Sequence, residues 1–230
     1  MKTLAIMQPY LLPYIGYFQL INSADHFVIY DDVNYIKRGW VNRNNILVNG
    51  KKHLITLPVS QASSYSKINS INILDETNKF IATIENAYRR APYYAEVMES
   101  LGGVLGSDER RLSVYLGQII KVICEYLDIK TEITYSSDLE KDSSLSSQEK
   151  IIDICERLSA SRYINAAGGR ALYNKIAFQT HGIDLKFIES DLKPYKQYSD
   201  TPVIGLSILD VLMFNSRAQV VSMLNDYKLT

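Results

Sequence analysis

The chain has 230 residues, of which 47% are apolar and 22% are charged, and its 25 basic side chains balance 25 acidic ones. These values are ordinary for a globular protein, and they exclude one that is drawn to nucleic acid or to an anionic membrane by its overall charge. No apolar run has the length of a signal peptide or a membrane span, so the sequence predicts a cytoplasmic protein without a membrane span. The 17 tyrosines against 6 phenylalanines favour polar ligand-binding surfaces.

Strand and helix patterns alternate in the first part of the chain. Thr3 to Met7 predicts a buried strand, which is followed by a short helix, a second strand and a β-hairpin. The hairpin prediction depends on Asn49-Gly50, a dipeptide that is typical of a tight turn between two strands. The predicted ranges are 14–21 for the helix, 26–30 for the second strand and 46–58 for the hairpin.

The rest of the chain begins with helices and returns to alternation after residue 130. The apolar spacing predicts helices at 77–91, at a shorter segment ending near residue 100 and at 109–127, followed by a strand at 131–135. Ser146 and Glu149 form a capping box that predicts the start of the helix "QEKIIDICERLS". The remaining predictions, in chain order, are the strand "RYINA", a turn at Gly168-Gly169, the helix "RALYNKIAFQT" capped by Gly182, the strand "IDLKFI" and two helices that meet near Asn215.

The alternation predicts βαβ units with right-handed crossovers. We therefore expect one α/β domain over residues 1–230: an open, mainly parallel sheet between flanking helices in three layers, with a hairpin insertion and a helical C-terminus. In such a sheet, ligands bind outside the carboxyl ends of the strands, where the topology switches direction. Three unusual stretches follow strand ends and share one edge if their strands are parallel neighbours: "QPYLLPYIGY", "DDVNYIKRGWVNRN" and "AGGRALY".

The first stretch places prolines and tyrosines where a ligand would bind. Pro9 and Pro13 stiffen the loop, and Gly16 allows a close approach of the backbone. The alternative, a strand-to-helix turn with the tyrosines packed on its outside, is about equally well supported. The predicted substrate-binding residues here are Gln8, Pro9, Tyr10, Tyr14 and Tyr17.

The second stretch mixes carboxylates, cations and the only tryptophan of the chain. Two adjacent carboxylates at a strand end could hold a divalent ion, orient a sugar hydroxyl or act as a base, and the cations beside them could bind phosphate. Adjacent acids more often point in opposite directions, so Asp31 and Asp32 are alternatives, and one of them could merely pair with a nearby base. The candidate catalytic residues are Asp31, Asp32 and Lys37, and the substrate-binding candidates are Tyr35, Arg38, Trp40, Asn42 and Arg43.

The third stretch, Gly168-Gly169-Arg170, is predicted to open a helix, where free amide groups and the helix dipole favour an anion. A cation at this position is unfavourable by itself, so Arg170 indicates that a negative group, such as a phosphate, lies there. An arginine that is exposed to solvent or paired with a carboxylate is an equally good interpretation. The stretch matches neither the dinucleotide motif nor the Walker-type ATP motif, and the sequence identifies no cofactor and no metal site.

Several stretches together resemble the WbqC-like family. They occur in the family's order and cover nearly the whole chain. The resemblance implies a role in making bacterial O-antigen or other surface polysaccharides, because the family is known chiefly from those gene clusters, but it carries over no catalytic residue. The matching stretches are "MQPYLLPYIGYFQLI", "FVIYDDVNYIKRGWVNRNNIL", "ITLPV", "INAAGGRALY", "GIDLKFI" and "LSILDVLMFN".

A second, weaker resemblance is to nucleotidyltransferases of the HIGH superfamily, in which a strand, a proline-containing loop, a short helix and a second strand bind ATP. Here "YIGY" stands in the place of HIGH, so tyrosines replace both histidines, and the later lysine-rich motif is missing. The resemblance implies a nucleotidyltransferase-like fold. Because the motif is changed and the later one is missing, nucleotidyl transfer is less favoured than the other functions.

These observations predict a transferase of surface-polysaccharide biosynthesis that modifies a nucleotide-linked amino sugar, for instance by acyl or aminoacyl transfer. The alternative is a non-catalytic subunit of the same pathway that binds the sugar or nucleotide, or a partner enzyme, at the same edge. The expected partner is a small molecule, either a nucleotide sugar or an acyl donor. No nucleic acid is expected, and a homodimer is left open.

Overall fold

The computed structural model describes residues 1–60, 62–142, 144–145 and 147–230. Within these residues, six strands form the main sheet and two form a separate hairpin. The strands are β1 (Thr3–Met7), β2 (His26–Ile29), β3 (Arg43–Val48), β4 (Lys51–Thr56), β5 (Glu132–Tyr135), β6 (Arg162–Ala166), β7 (Asp184–Ser190) and β8 (Tyr227–Leu229). The helices are α1 (Ile15–Asn22), α2 (Asn78–Tyr88), α3 (Tyr94–Leu105), α4 (Leu112–Tyr126), α5 (Ser147–Arg157), α6 (Lys175–Thr180), α7 (Ile208–Phe214) and α8 (Arg217–Met223).

In the main sheet the strands lie in the order β5-β2-β1-β6-β7-β8. The first five are parallel, and β8 runs antiparallel to β7 at the edge. Strand β2 lies next to β1, and β5 lies beyond β2 at one edge of the sheet. The chain then crosses to the other side of β1, where β6 and β7 follow. The topology therefore switches between β1 and β6, and the carboxyl ends of β2, β1 and β6 lie side by side, as predicted.

Alternate side chains of the strands enter two separate apolar layers, so the sheet is covered on both faces. Phe27 and Ile29 of β2 pack in the larger layer, which contains α1 and α4, whereas Val28 packs with α5 and α6 on the other face. This alternation follows from the side-chain period of two along a strand. The predicted α/β fold, with an open and mainly parallel sheet between helices, is confirmed.

Strands β3 and β4 form the predicted hairpin outside the main sheet. Asn49 and Gly50 turn the chain with φ angles of 50° and 71°, and a type I′ turn requires positive φ at both positions. The hairpin spans residues 43–56, slightly earlier than the predicted range. It is joined to the C-terminal part of the chain, because Ser207 donates its backbone amide to the carbonyl of Asn45 at 2.8 Å.

The predicted helix "RALYNKIAFQT" is divided in the structure. Residues Ala167–Leu172 form a 3-10 helix, and α6 begins only at Lys175. Asn174 causes the break, because its side chain accepts the amide hydrogen of Ile176 at 2.9 Å and so caps a new helix. A short polar residue in the middle of an apolar helical pattern is therefore a helix start here and not an interior position.

Helix α3 and strand β8 also differ from the prediction. Helix α3 runs through Gly102 and Gly103 to Leu105, beyond the predicted end near residue 100, because Leu105 is buried in the core. Strand β8 is absent from the prediction because three residues give no strand pattern, and it forms by pairing with β7. The predicted capping box at Ser146 lies outside the described residues. In the part of the chain that the structure describes, no helix is both long and apolar enough to cross a bilayer.

Candidate functional site

A pocket of about 280 Å³ opens at the carboxyl edge of the main sheet. Its walls come from the segments that follow β1, β2 and β7, together with one residue of β3 and one that precedes α7. Three predicted substrate-binding side chains, Tyr10, Tyr14 and Trp40, meet in it, and we call it the aromatic pocket. Its lining residues are Tyr10, Pro13, Tyr14, Trp40, Asn44, Leu192 and Gly205.

The loop between β1 and α1 is fixed by contacts to its main chain. Leu11 donates its amide to the carbonyl of Trp40 at 3.0 Å, and the side-chain amide of Asn44 donates to the carbonyls of Leu11 and Leu12 at 2.9 and 2.7 Å. Leu12, whose positive φ of 46° is costly for a residue with a β-carbon, also accepts a hydrogen bond from the hydroxyl of Ser207 at 2.8 Å. The pocket is therefore preformed, and Asn44 is a site residue that sequence reasoning missed.

Helix α1 begins very close to the end of β7. A β-carbon on Gly16 would lie 2.4 Å from Oγ of Ser190 and 2.4 Å from the ring of Tyr14, which is closer than real β-carbons come. Gly16 thus allows a close approach within the protein, between α1 and the end of β7, whereas its approach to a bound molecule stays a prediction. The same packing fixes the ring of Tyr14 between the start of the helix and the pocket.

The far wall of the pocket belongs to residues 191–206, which connect β7 to α7 without regular structure. Asp210 of α7, which is completely buried, anchors this segment by accepting hydrogen bonds from the hydroxyl of Tyr195 at 2.7 Å and from the side-chain amide of Gln197. It also accepts a hydrogen bond from the hydroxyl of Tyr88 in α2 at 2.9 Å. Burial raises the pKa of Asp210, although the three donors work in the opposite direction.

Three other predicted substrate-binding side chains have their polar groups engaged inside the protein. The hydroxyl of Tyr17 donates to the carbonyl of Gln8 at 2.9 Å, and the hydroxyl of Tyr35 donates to Oδ1 of Asn42 at 2.6 Å. The amide of Asn42 donates in turn to the carbonyl of Leu57 at 2.9 Å. Tyr17, Tyr35 and Asn42 are buried, as is Pro9, so these residues lie behind the edge and support its loops.

The side chain of Gln8, directly after β1, differs from these because one of its polar atoms is unpaired. Its Oε1 atom is buried and has no hydrogen-bond partner among the described residues. A buried acceptor without a donor costs about 1–3 kcal/mol. Gln8 therefore carries an unused acceptor at the end of β1, next to the switch point where ligands bind in this class of sheet.

The loop that carries Trp40 contains a strained turn. Arg38 has a φ of 60°, in the left-handed region that glycine adopts more readily than other residues. Arg43 holds the turn, because its Nε donates to the carbonyl of Gly39 at 2.9 Å and its guanidinium also bonds to the carbonyl of Arg38. The side chains of Lys37 and Arg38 are exposed and form no ion pair within the described residues, so two free cations lie in the loop that forms one wall of the pocket.

The adjacent carboxylates Asp31 and Asp32 turn to different partners. Asp31 is 2% exposed and accepts hydrogen bonds from the amide and the hydroxyl of Ser137 at 3.0 and 2.8 Å. Burial raises the pKa of Asp31, while these hydrogen bonds oppose the increase. Neither carboxylate lines the aromatic pocket. Only Asp32 lies among cationic groups.

Asp32 lies between two lysines that sequence reasoning missed. Its Oδ2 atom is 3.0 Å from Nζ of Lys150 and 3.2 Å from Nζ of Lys141, and Lys150 also lies over the ring of Tyr30. Burial raises the pKa of Asp32, but the Ser136 hydroxyl and the two ammonium groups outweigh it, so the pKa lies below its ordinary value. The Oδ1 atom of Asp32 has no aligned hydrogen bond within the described residues. The available signal was Lys150 itself, a lysine on the apolar face of α5.

The stretch Gly168-Gly169-Arg170 lies at the same edge of the sheet but not in the walls of the aromatic pocket. Its glycines belong to the 3-10 helix and not to the start of an α-helix. Arg170 pairs with the carboxylate of Glu189 in β7 at 2.5 Å, and its guanidinium lies over the ring of Phe187. The negative group near Arg170 is therefore a side chain of the neighbouring strand, in agreement with the second interpretation of this arginine.

The strand order and the pocket define the class of the protein: it is a doubly wound α/β protein with an aromatic pocket at the carboxyl edge of its parallel strands. The chain belongs to the WbqC-like protein family, whose model matches residues 8–222. It is 31% identical over 224 residues to the uncharacterized protein Rv1507c of Mycobacterium tuberculosis, with 95% of this chain and 96% of the relative covered. No solved structure matches the chain. The resemblance to the WbqC-like family is thus confirmed.

Proposed function

We propose that this protein is a transferase of surface-polysaccharide biosynthesis that binds a nucleotide-linked amino sugar at the aromatic pocket. The observation that carries the proposal is the meeting of Tyr10, Tyr14 and Trp40 in one pocket, with the free cations Lys37 and Arg38 in the same loop as Trp40. Flat aromatic faces suit a sugar ring or a nucleobase, and cations suit the phosphates that join them. Membership of the WbqC-like family supports the choice of pathway.

The volume of the pocket limits which part of the ligand enters it. About 280 Å³ is just below the range of roughly 300–1,000 Å³ that is usual for small-molecule sites. One ring would therefore occupy the pocket, and the phosphates would extend across the Trp40 loop towards Lys37 and Arg38. Burial and the neighbouring Tyr14 raise the pKa of Tyr10, which keeps its hydroxyl protonated and able to donate to an oxygen of the ring.

The transfer step in this proposal depends on positioning and on charge. Of the two adjacent acids, Asp32 is the candidate general base, because its lowered pKa keeps it ionised; it lies outside the lining of the aromatic pocket, so the reacting amine would extend from the pocket towards the end of β2. Asp32 would take a proton from the sugar amine while the amine nitrogen bonds to the acyl carbon and the leaving group of the donor departs. A carboxylate with a low pKa is a weak base, so most of the acceleration must come from positioning.

Fluorescence of Trp40, the only tryptophan of the chain, tests the binding step directly. Titration with nucleotide-linked amino sugars should change its emission saturably, and Tyr14→Ala should weaken binding about 10-fold, because a ring contact is lost. Leu54→Ser, which changes an exposed leucine of β4 outside the pocket, is the matched control. If millimolar nucleotide sugars give neither a fluorescence change nor heat in calorimetry, the proposal is wrong.

A non-catalytic subunit that holds the same ligand is the second candidate. One observation favours it: none of the residues that line the pocket is a carboxylate, a histidine, a lysine or a cysteine. Asp32→Asn separates the two functions. In a transferase this change should preserve binding and lower turnover at least about 100-fold, whereas a subunit has no turnover to lose with any acyl donor.

A further inference from the structure

We propose that this protein docks on the surface of an anionic membrane through a patch beside the aromatic pocket. The patch combines three exposed apolar or aromatic side chains with three exposed cations from two neighbouring loops, and we call it the interfacial patch. The proposal goes beyond the transferase function, which concerns a soluble ligand. The residues of the patch are Ile36, Lys37, Arg38, Trp40, Tyr65 and Lys67.

Main-chain pairing brings the two loops of the patch together. Asn34 and Lys67 form an antiparallel bridge, and backbone hydrogen bonds on both sides of it extend the pairing. The bridge therefore holds the loop that carries Ile36 next to the loop that carries Tyr65. Ile36 is 53% exposed, Tyr65 is 89% exposed and Trp40 is 46% exposed. The fold thus presents large apolar side chains from both loops to the solvent.

The patch carries three positive charges on a chain whose net charge is zero. Lys37, Arg38 and Lys67 form no ion pair within the described residues. The acids of the same loops, Asp31 and Asp32, face Ser137 and two lysines inside the protein and do not neutralise the patch. The patch is therefore locally positive, although the net charge of the whole chain is zero.

This combination of side chains is typical of a membrane interface. Tryptophan and tyrosine are enriched at the level of the headgroups, and each lysine or arginine near an anionic surface adds to the attraction. Ile36 adds an aliphatic side chain that can enter the boundary between headgroups and acyl chains. Single-stranded nucleic acid also binds basic and aromatic surfaces, but its bases stack on flat side chains along a groove, and Ile36 offers no flat face. The residues therefore favour a membrane.

Trp40 belongs both to the interfacial patch and to the lining of the aromatic pocket. Docking through the patch would consequently place the mouth of the pocket at the level of the headgroups. It would also move Trp40 from water into a less polar environment, which shifts tryptophan emission to shorter wavelength. The tryptophan that reports sugar binding in solution thus also reports docking when vesicles are added.

Vesicle flotation tests docking in the absence of any sugar. The full chain should float with mixed phosphatidylglycerol–phosphatidylcholine vesicles at low salt, and much less with pure phosphatidylcholine or at high salt. Tyr65→Ser and Lys67→Gln should each weaken flotation, the lysine change by about fivefold, and neither residue lines the aromatic pocket. Leu54→Ser on β4 and Lys130→Gln before β5, at the opposite edge of the sheet, are matched controls that should float like the unmodified chain.

Two results would overturn the docking proposal. One is the absence of flotation with anionic vesicles at low salt, including the case in which the patch binds a single-stranded oligonucleotide instead. The other is flotation that is equal for both vesicle types and unchanged by Tyr65→Ser and Lys67→Gln. Titrations without lipid keep this proposal separate from the transferase: normal sugar binding without flotation contradicts docking alone, and flotation without sugar binding contradicts the transferase alone.

Discussion

Replacing Arg38 by glycine should maintain or raise the stability of the protein and at the same time weaken its binding of the nucleotide sugar. The left-handed conformation of Arg38 costs about 1–2 kcal/mol in a residue with a β-carbon. Glycine removes that cost but adds about 0.5–1 kcal/mol of conformational entropy to the unfolded chain, so the free energy of unfolding should rise by about 0–1.5 kcal/mol. Loss of a charged hydrogen bond to phosphate, about 1.5–3 kcal/mol, should weaken binding of the nucleotide sugar about 10- to 150-fold.

Ser159→Gly is the matched control for this experiment. Ser159 has a φ of 55° and is exposed after the end of α5, outside every proposed site, so its replacement should change stability similarly and leave binding unchanged. Urea denaturation measures the free energy of unfolding, and titration of Trp40 fluorescence measures the affinity. If Arg38→Gly destabilises the protein by more than about 1 kcal/mol, the arginine has a structural role that the strain does not reveal. Unchanged affinity would show that Arg38 does not bind phosphate.

Gly16→Ala should lower the free energy of unfolding by about 1–3 kcal/mol, because its methyl group would lie 2.4 Å from Oγ of Ser190; urea denaturation without a loss would contradict this packing. Asp210→Ala should cost about 2–6 kcal/mol, because the hydroxyls of the buried Tyr88 and the half-buried Tyr195 lose their acceptor, and Asp210→Asn should cost less; equal midpoints would refute this reasoning. Because the folded-state pKa of Asp32 is lowered, its stabilising contribution is present above the ordinary pKa of 3.8 and is lost as the pH falls through the folded-state pKa. Asp32→Asn should therefore flatten the acid side of a plot of urea midpoint against pH, and an unchanged acid side would argue against the lysine pairs.

Features with a strong local cause could be predicted from the sequence. Asn49-Gly50 adopts the two positive φ angles that the hairpin requires, and Gly182 adopts a φ of 71° after α6, as expected of a cap. The alternation of strands and helices predicted the parallel sheet, and the shared carboxyl edge follows from that sheet. Tyr10, Tyr14 and Trp40 could be placed near one another because their loops leave neighbouring strands.

Contacts between distant segments could not be predicted in the same way. Lys150 and Asp32 are 118 residues apart, and a lysine on an apolar helical face indicates a buried partner without indicating which acid it is. Leu192 and Gly205 belong to a segment without regular structure, so no periodic pattern assigns them to the pocket. The interpretation of Arg170 assumed that an α-helix begins there, whereas Asn174 caps a helix that begins only at Lys175. Whether a polar side chain caps a new helix or lies inside a continuing one depends on its geometry, which the sequence does not give.

Polar groups at the carboxyl edge form two sets, which differ in whether folding alone accounts for them. Tyr17, Tyr35 and Asn42 have hydrogen bonds inside the protein, so folding alone accounts for them. The side-chain oxygens Oε1 of Gln8 and Oδ1 of Asp32 have no aligned hydrogen bond among the described residues, and the backbone of Arg38 is strained, as described above. Each feature costs on the order of 1 kcal/mol, but similar features occur elsewhere, such as the unpaired buried Oε1 of Gln19 and the φ of 55° at Ser159, so they do not locate a site by themselves. All three follow β1 or β2, at the edge where the aromatic pocket opens, and this position agrees with the proposed binding of a ligand there.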